Sequence, residues 1–256
     1  MNKILKTLLS VLCFCHLSAG AQTFHALLFI NEKESGREVD RSEDMKNMNT
    51  FLRNVSTTIG YSYNPQKFSD KKFTSSEIKQ SISNLKVESD DIVVFYYSGH
   101  GYNDESDIWP SLSLNDNNYR QIDILKQLKE VSSDAKLVLC IADCCNKQYR
   151  GSYDITSSYD SFDGQSKNPI KKLFTGFNGK KTIIMSASKQ GQYSYSDTRY
   201  GAFFGISLRK SITELNSEKF ATWDQVMQKA STYTYRYTDG KQNPQYNVTQ
   251  SGDPFE

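Results

Sequence analysis

The feature that most constrains this chain is a short apolar run that stops abruptly at polar residues. Residues 137–142 (LVLCIA) are continuously apolar and mostly branched, and the run ends in Asp143, Cys144 and Cys145. Such a run is typical of a buried strand in a parallel sheet that is covered on both faces. Because ligands bind at the carboxyl edge of the strands in open α/β sheets, we expect these two thiols and the carboxylate to lie at a binding site.

A second run ends in the same manner. Residues 91–97 (DIVVFYY) lead into Ser98, Gly99, His100 and Gly101. If the two strands are parallel neighbours, His100 and a cysteine meet at one rim of the sheet. That pair is a candidate nucleophile with its acid/base partner.

The rest of the chain alternates predicted strands and helices. His25 to Ile30 and Lys181 to Ala187 are predicted strands, and we interpret His25, at the amino end of its strand, as structural. The alternation predicts a three-layer α/β/α sandwich with a mostly parallel central sheet. Helices are predicted around 45–59, 78–85, 122–131, 201–215 and 222–237, with starts of the capping-box type at Asp40–Glu43, Thr74–Glu77 and Thr222–Gln225.

The N-terminal residues have the pattern of a secretory signal peptide. Lys3 and Lys6 precede an apolar block, and residues 19–21 (AGA) form a small-residue cleavage site, so residues 1–21 are a predicted signal peptide cut before Gln22. The block is too short to span a bilayer, which argues against a membrane anchor. The formal net charge of +2 gives no reason to expect a nucleic-acid or membrane-surface partner. We therefore expect an exported protein, secreted or periplasmic.

Cysteine usage argues against a disulfide framework. Once the predicted signal peptide is removed, the cysteines left are Cys140, Cys144 and Cys145, all within one strand and its exit. A bridge between the vicinal pair is sterically awkward, which favours packing or reactivity for these thiols. A zinc site made from His100, Cys144 and Cys145 is a rival, but a weak one, because adjacent cysteines seldom both ligate one ion.

Taken together in chain order, these segments resemble the caspase-like cysteine peptidases, in particular their metacaspase and bacterial branch. The resemblance covers nearly all of residues 22–256, and five or more short motifs occur in the family's order. These are Asp91–Gly101 for the histidine strand, Leu139–Cys145 for the cysteine strand, Asp44–Met48 for the first helix, and Ser186–Gln192, Gly201–Phe204 and Gln242–Gln245 nearer the C-terminus.

The resemblance implies a caspase-like fold and a role for each residue at the predicted rim. Cys145, the third residue of the family's D-x-C pattern, is the expected nucleophile in preference to Cys144. His100 is the expected acid/base partner. The backbone N–H groups of Gly101 and Cys145 are the expected donors to the oxyanion. No obligatory cofactor is implied.

The resemblance also implies a substrate pocket. Asp143, Ser98 and Asp44 match the walls of the pocket that accepts arginine or lysine at P1, the substrate residue before the cleaved bond. A buried carboxylate selects such a cation through charge-assisted hydrogen bonds. Arg37 and Arg41 lie in the loop where caspases carry an arginine for aspartate, so an aspartate-specific peptidase remains an alternative.

Several departures from the family pattern define the remaining alternatives. Asn146, Lys147 and Gln148 replace the usual H-S-G, which leaves open a catalytically silent binding or interaction module. The residues Asp104, Glu105 and Asp107 leave calcium binding open, although a solvated acidic loop is the favoured interpretation. The oligomeric state is also left open.

The expected organisation is a single peptidase domain over 22–256. A large-subunit-like part (22–146) and a small-subunit-like part (181–256) flank an irregular linker at 147–180, which is too long for an ordinary connection. The linker carries basic residues that suit self-cleavage, namely Arg150, Lys167, Lys171 and Lys172. We therefore predict an exported cysteine endopeptidase that hydrolyses peptide or protein substrates after arginine or lysine.

Overall fold

A six-stranded sheet forms the centre of the computed structural model, which describes residues 22–32, 41–105, 107–148, 167–197, 199–214 and 221–250. In chain order the elements are β1 (Thr23–Ile30), α1 (Ser42–Ile59), β2 (Ser62–Phe68), α2 (Ser75–Ser83), β3 (Ile92–Ser98), β4 (Gly101–Tyr102), β5 (Ser111–Leu112), β6 (Tyr119–Arg120), α3 (Gln121–Val131), β7 (Leu137–Asp143), α4 (Lys167–Thr175), β8 (Lys181–Ser186), β9 (Ser196–Asp197), β10 (Gly201–Ala202), α5 (Phe203–Glu214), α6 (Trp223–Tyr237) and β11 (Gln245–Gln250).

The sheet has the strand order β11-β8-β7-β3-β1-β2, and all its pairings are parallel except that of β11 with β8. Every residue of β3 and β7 is buried, since helices cover both faces. One apolar cluster joins the sheet to α1, α4, α5 and α6, and a second joins the opposite face to α2 and α3. The predicted three-layer α/β/α sandwich is confirmed.

Three elements were missed in the sequence or lie where irregular structure was expected. β2 contains Pro65, and it lies at the edge of the sheet, where a proline is tolerated because one side of the strand needs no partner. β11 forms the opposite edge. The predicted linker 147–180 contains α4, whose apolar side chains Ile170, Leu173 and Phe174 are buried in the first cluster.

The helix starts agree with the sequence at two of three places. Thr222 and Gln225 form a reciprocal capping box on α6. The Thr74 side chain accepts a hydrogen bond from the Glu77 amide at α2. Asp40 lies outside the described residues, and α1 begins after Arg41, which makes no side-chain cap. No helix in the described ranges is long and apolar enough to cross a membrane.

Candidate active site

The register between β3 and β7 places the two predicted reactive residues at one rim. Ser98 is paired with Asp143, the last residues of the two strands. His100 lies two residues after Ser98, and Cys145 lies two residues after Asp143. The two segments therefore leave the sheet side by side at the same edge. The Gly99 amide also donates a hydrogen bond to the Asp143 carbonyl, at 3.3 Å, which ties the two exits together.

Gly101 lies directly against the cysteine pair. A Cβ atom added at Gly101 would lie 2.6 Å from the Cys145 carbonyl oxygen and would also collide with the Cys144 Sγ. Glycine is therefore required for the close approach of the two backbones. This contact brings together the two residues predicted to supply the oxyanion donors.

The two adjacent thiols have different surroundings. Cys144 is 1% exposed and belongs to the apolar cluster on the α2/α3 face, where its Sγ approaches Gly101. Cys145 is partly exposed, and its Sγ accepts a hydrogen bond from the Ser194 amide at 3.3 Å. This difference in access supports Cys145 as the reactive thiol, because a nucleophile must reach solvent and substrate.

The surroundings of the Cys145 thiol favour its neutral, protonated form. Burial is the main cause that raises its pKa, and the Asp143 charge raises it further. The Ser194 amide and the positive charge of Arg41 act in the opposite direction and lower that pKa.

The three predicted pocket residues are brought together beneath the rim. Asp44, in the first turn of α1, accepts a hydrogen bond from the Ser98 hydroxyl at 2.7 Å. Asp143 accepts hydrogen bonds from the Tyr96 hydroxyl at 3.2 Å and the Ser194 hydroxyl at 3.4 Å. Both carboxylates are buried, and the negative charge of Asp44 acts on Asp143. The site thus holds two interacting carboxylates.

The start of α5 supplies further donors to this pair. The Gly205 amide donates to Asp143 at 2.8 Å, and the Ala202 amide donates to Asp44 at 2.9 Å. The first amides of a helix have no partner within the helix, so they favour a carboxylate placed there. Burial, together with the Asp44 charge, nevertheless raises the pKa of Asp143 to about 7. Asp143 therefore titrates near neutral pH.

Glycines make room for these carboxylates. Gly201 has a φ of +93°, and a side chain there would collide with the Asp44 carboxylate. A Cβ at Gly205 would lie 2.7 Å from the Tyr96 hydroxyl and 3.0 Å from the Asp143 carboxylate. Gly205 was not singled out in the sequence, although it follows the G-A-F-F motif directly.

The loop that carries His100 is held by a buried tyrosine. The Tyr97 hydroxyl donates to the carbonyls of His100, at 2.5 Å, and of Ser113, at 2.8 Å. The Ser113 amide also donates to the His100 carbonyl at 2.9 Å. These hydrogen bonds fix the position of the His100 main chain.

Comparison with known proteins identifies the family. A family model of the caspase domain matches residues 24–255. The chain belongs to the caspase-domain family. A paracaspase from Dictyostelium discoideum is 29% identical over 159 residues, which cover 60% of this chain and 34% of that protein. This chain thus spans about a third of that relative's length.

Two solved structures share the fold of this caspase domain. A protein from Geobacter sulfurreducens superposes with a TM-score of 0.56 at 14% identity, covering 91% of this chain and 95% of that one. Caspase-1 from Spodoptera frugiperda superposes with a TM-score of 0.55 at 14% identity, covering 90% and 88%. The caspase-like resemblance seen in the motifs is confirmed for family and fold.

Asn146, the first residue of the segment that departs from the family motif, is held by hydrogen bonds in this caspase domain. Asn146 is fully buried, and its side-chain amide donates hydrogen bonds to the backbone carbonyls of Ile108, at 2.8 Å, and Ser188, at 3.1 Å. Its side-chain oxygen accepts a hydrogen bond from the side-chain amide of Asn103 at 2.6 Å. Neither asparagine was predicted as important, because nothing in a single sequence separates a buried asparagine from an exposed one.

Metal ligands are not grouped in the part of the chain that the structure describes. No three histidine, cysteine, aspartate or glutamate side chains there are arranged to hold an ion. The described residues therefore give no support to a zinc site at His100, Cys144 and Cys145. Asp107, one of the acidic residues considered for calcium, forms an ion pair with Arg120 at 2.8 Å. Arg37 and Arg150 lie outside the described residues.

Proposed function

We propose that this caspase domain is a cysteine endopeptidase in which Cys145 and His100 form the catalytic dyad. The observation that carries the proposal is the pairing of Ser98 with Asp143, because it sends both residues from neighbouring strands to one rim. The closeness of Gly101 to Cys145 supports a shared oxyanion cradle at the same place.

The chemistry of such a dyad proceeds in two halves. His100 takes the proton from the Cys145 thiol as the sulfur attacks the peptide carbonyl carbon, and the negative charge develops on the carbonyl oxygen. The backbone N–H groups of Gly101 and Cys145 bind that oxygen. His100 then passes the proton to the leaving amine as the C–N bond breaks and a thioester forms. Water, deprotonated by His100, hydrolyses the thioester, and the thiol regains its proton.

We propose arginine or lysine as the P1 residue. Asp143 and Asp44 are buried carboxylates, and a cationic side chain bound beside them relieves their repulsion while it forms charge-assisted hydrogen bonds. Ser98, bonded to Asp44, completes that wall of the pocket. Aspartate specificity is the competing proposal, and the positive charge of Arg41 near the thiols is what favours it.

A panel of fluorogenic peptides that differ at P1 alone tests both proposals. Arginine and lysine peptides are expected to be cleaved by wild type and Cys144→Ala, and Cys145→Ala is expected to be inactive. Activity that survives in Cys145→Ala overturns the choice of nucleophile. Preference for aspartyl peptides overturns the basic pocket and supports the Arg41 alternative.

A catalytically silent binding module is separated from an enzyme by covalent trapping. A peptidyl electrophile with P1 arginine is expected to label wild type at Cys145 and to leave Cys145→Ala unlabelled. A folded wild-type protein without selective labelling supports the silent module. The replacement of H-S-G by residues 146–148 is the observation that keeps this alternative.

We also propose that the protein is exported and that its linker is cut by the enzyme itself. Export predicts a mature protein that begins at Gln22, which N-terminal sequencing of the secreted material determines. Self-cleavage predicts two fragments on prolonged incubation of wild type and one intact mass for Cys145→Ala. Identical single masses for the two proteins contradict self-cleavage.

A further inference from the structure

Ser194 lies between the two groups that the proposed reaction depends on. Its backbone amide donates to the Cys145 Sγ at 3.3 Å, and the Cys145 thiol approaches the Ser194 carbonyl at 3.7 Å. The Ser194 hydroxyl donates to the Asp143 carboxylate at 3.4 Å. One residue thus contacts both the nucleophile and the floor of the pocket.

The position of Ser194 depends on a buried glutamine from a distant part of the chain. Gln242 is fully buried, and its side-chain amide donates to the Ala187 carbonyl at 2.9 Å and to the Ser194 hydroxyl at 3.4 Å. Its side-chain oxygen accepts from the Tyr195 amide at 2.9 Å. The Gln242 side chain therefore joins the end of β8 to the segment that carries Ser194 by hydrogen bonds.

The neighbouring residue strengthens this attachment. The backbone N–H of Asn243 donates to the side-chain oxygen of Gln192 at 2.9 Å. The backbone carbonyl of Asn243 accepts a hydrogen bond from the Lys189 N–H at 2.8 Å. The connection from β8 to β9 is thereby held along its length by residues 242–243. A buried amide with its hydrogen-bonding groups satisfied gives a fixed geometry, since breaking any of these bonds leaves a buried polar group unpaired.

We propose that Gln242 is a positioning residue that holds Ser194 against both Cys145 and Asp143. Among the described residues, no hydrogen bond joins the Gln242 side chain to the thiol or to the carboxylate itself. Its effect on the thiol passes through the Ser194 amide, which favours the thiolate because a hydrogen bond to a charged group stabilises that charge. Its effect on the pocket passes through the Ser194 hydroxyl. This inference rests on the proposed function and adds a residue to it.

The test compares two identical substitutions in the same C-terminal segment. Gln242→Met keeps the side-chain volume and removes the amide. Gln245→Met is the matched control, because the Gln245 side chain donates to the Ile108 carbonyl near the surface and not to the Ser194 hydroxyl. The rate of Cys145 alkylation by iodoacetamide is measured against pH, with peptide fragmentation to separate Cys145 from Cys144. Thermal unfolding shows that each variant is folded.

In Gln242→Met the midpoint of the alkylation profile is expected to rise by about one pH unit, because the thiolate loses a donor. The kcat/KM for an arginine peptide is expected to fall by about tenfold or more, because misplaced groups lose transition-state contacts. Gln245→Met is expected to match wild type in both. A folded Gln242→Met protein that matches the control in both measurements overturns the proposal.

Ser194→Ala separates the two contacts and serves if Gln242→Met does not fold. It keeps the backbone amide, so the alkylation midpoint is expected to stay at the wild-type value. It removes the hydroxyl from Asp143, so the KM for the arginine peptide is expected to rise about threefold as that carboxylate loses a donor. An unchanged KM overturns the proposal. Alkylation needs no peptide hydrolysis, so an inactive wild type that still shows the Gln242→Met shift contradicts the proposed function and leaves this inference standing.

Discussion

The proposed function of Asp143 and the stability of the fold make opposite demands on this residue. Its carboxylate is buried, accepts hydrogen bonds from Tyr96, Ser194 and Gly205, and lies in the field of Asp44. Those donors favour the ionised form, yet burial and the second carboxylate prevail and raise its pKa to about 7. A structural role alone would not require a charge here, since an asparagine could accept most of the same bonds.

Replacement of Asp143 by asparagine is expected to stabilise the protein at alkaline pH. The folded pKa of about 7 lies above the unfolded value of 3.8, so wild type loses stability as the pH rises between those two values. The asparagine side chain has no such titration. The difference in Tm between Asp143→Asn and wild type should therefore be small near the acid end of that window and reach several degrees above its alkaline end.

Thermal unfolding followed across that pH range measures the difference, and cleavage of an arginine peptide provides the second readout. Asp143→Asn should lose that cleavage by about a hundredfold or more, because the cation then lacks its charged partner. A difference in Tm that is constant with pH contradicts the titration of Asp143 near neutrality.

Asn146 gives a second prediction at the scale of one residue. Asn146→Asp is expected to be destabilised by several degrees in Tm, because a carboxylate oxygen would then face the carbonyls of Ile108 and Ser188, which now accept from the amide. Asn115→Asp is the control, since that side chain is exposed and bonds the Asp70 carbonyl from the surface. Thermal unfolding compares the two, and equal Tm changes contradict the predicted role of the buried amide.

At the scale of elements, the two strands that carry the site were the most predictable part of the chain. β3 and β7 are buried on both faces, and a fully buried strand has a continuous apolar run that is visible in the sequence. The edge strands β2 and β11 are half exposed and contain polar residues and a proline, so no such signal exists for them. α4 was hidden because its short helix follows a polar, serine-rich stretch.

The candidate site was predictable to the same extent. His100, Cys145, Asp143 and Ser98 follow two recognisable strands, and Asp44 lies in a recognisable motif. Ser194 and Gln242 are brought to the rim by loops and by the antiparallel edge, and loop conformation has no period that a sequence can show. The motif Gln242–Gln245 is visible in the sequence, but the role proposed for Gln242 depends on three hydrogen bonds that only the folded chain forms.

Tyr97, near the end of β3, allows a test of how the loop that carries His100 is held. Tyr97→Phe keeps the ring and removes the hydroxyl that donates to the His100 and Ser113 carbonyls. The kcat for an arginine peptide is expected to fall about tenfold with little change in KM, because the loop positions the proposed acid/base group and not the P1 side chain. Tyr246→Phe, which removes an exposed hydroxyl bonded to Asp224, is the control. A kcat equal to that of the control contradicts the anchoring role.

At the scale of the whole molecule, Asp143 of the proposed pocket and the Cys145 thiol are electrostatically coupled across the sheet edge. Burial is the main cause that raises the pKa of Cys145, and the Asp143 charge raises it further. A cation bound to Asp143 cancels that charge, so occupation of the pocket should lower the thiol pKa. Under the proposed function, the substrate would thus help to activate the thiol that attacks it.

Agmatine tests this coupling, because it offers a guanidinium group without a peptide bond. At neutral pH, saturating agmatine is expected to speed the alkylation of Cys145 by iodoacetamide about threefold or more, since a larger fraction of the thiol is ionised. Asp143→Asn should show no acceleration, because no charge remains to be cancelled. Butanediol, which has no cation, controls for crowding at the rim. If agmatine slows alkylation equally in wild type and Asp143→Asn, the guanidinium binds over the thiol and not at Asp143, and the coupling between pocket and nucleophile is contradicted.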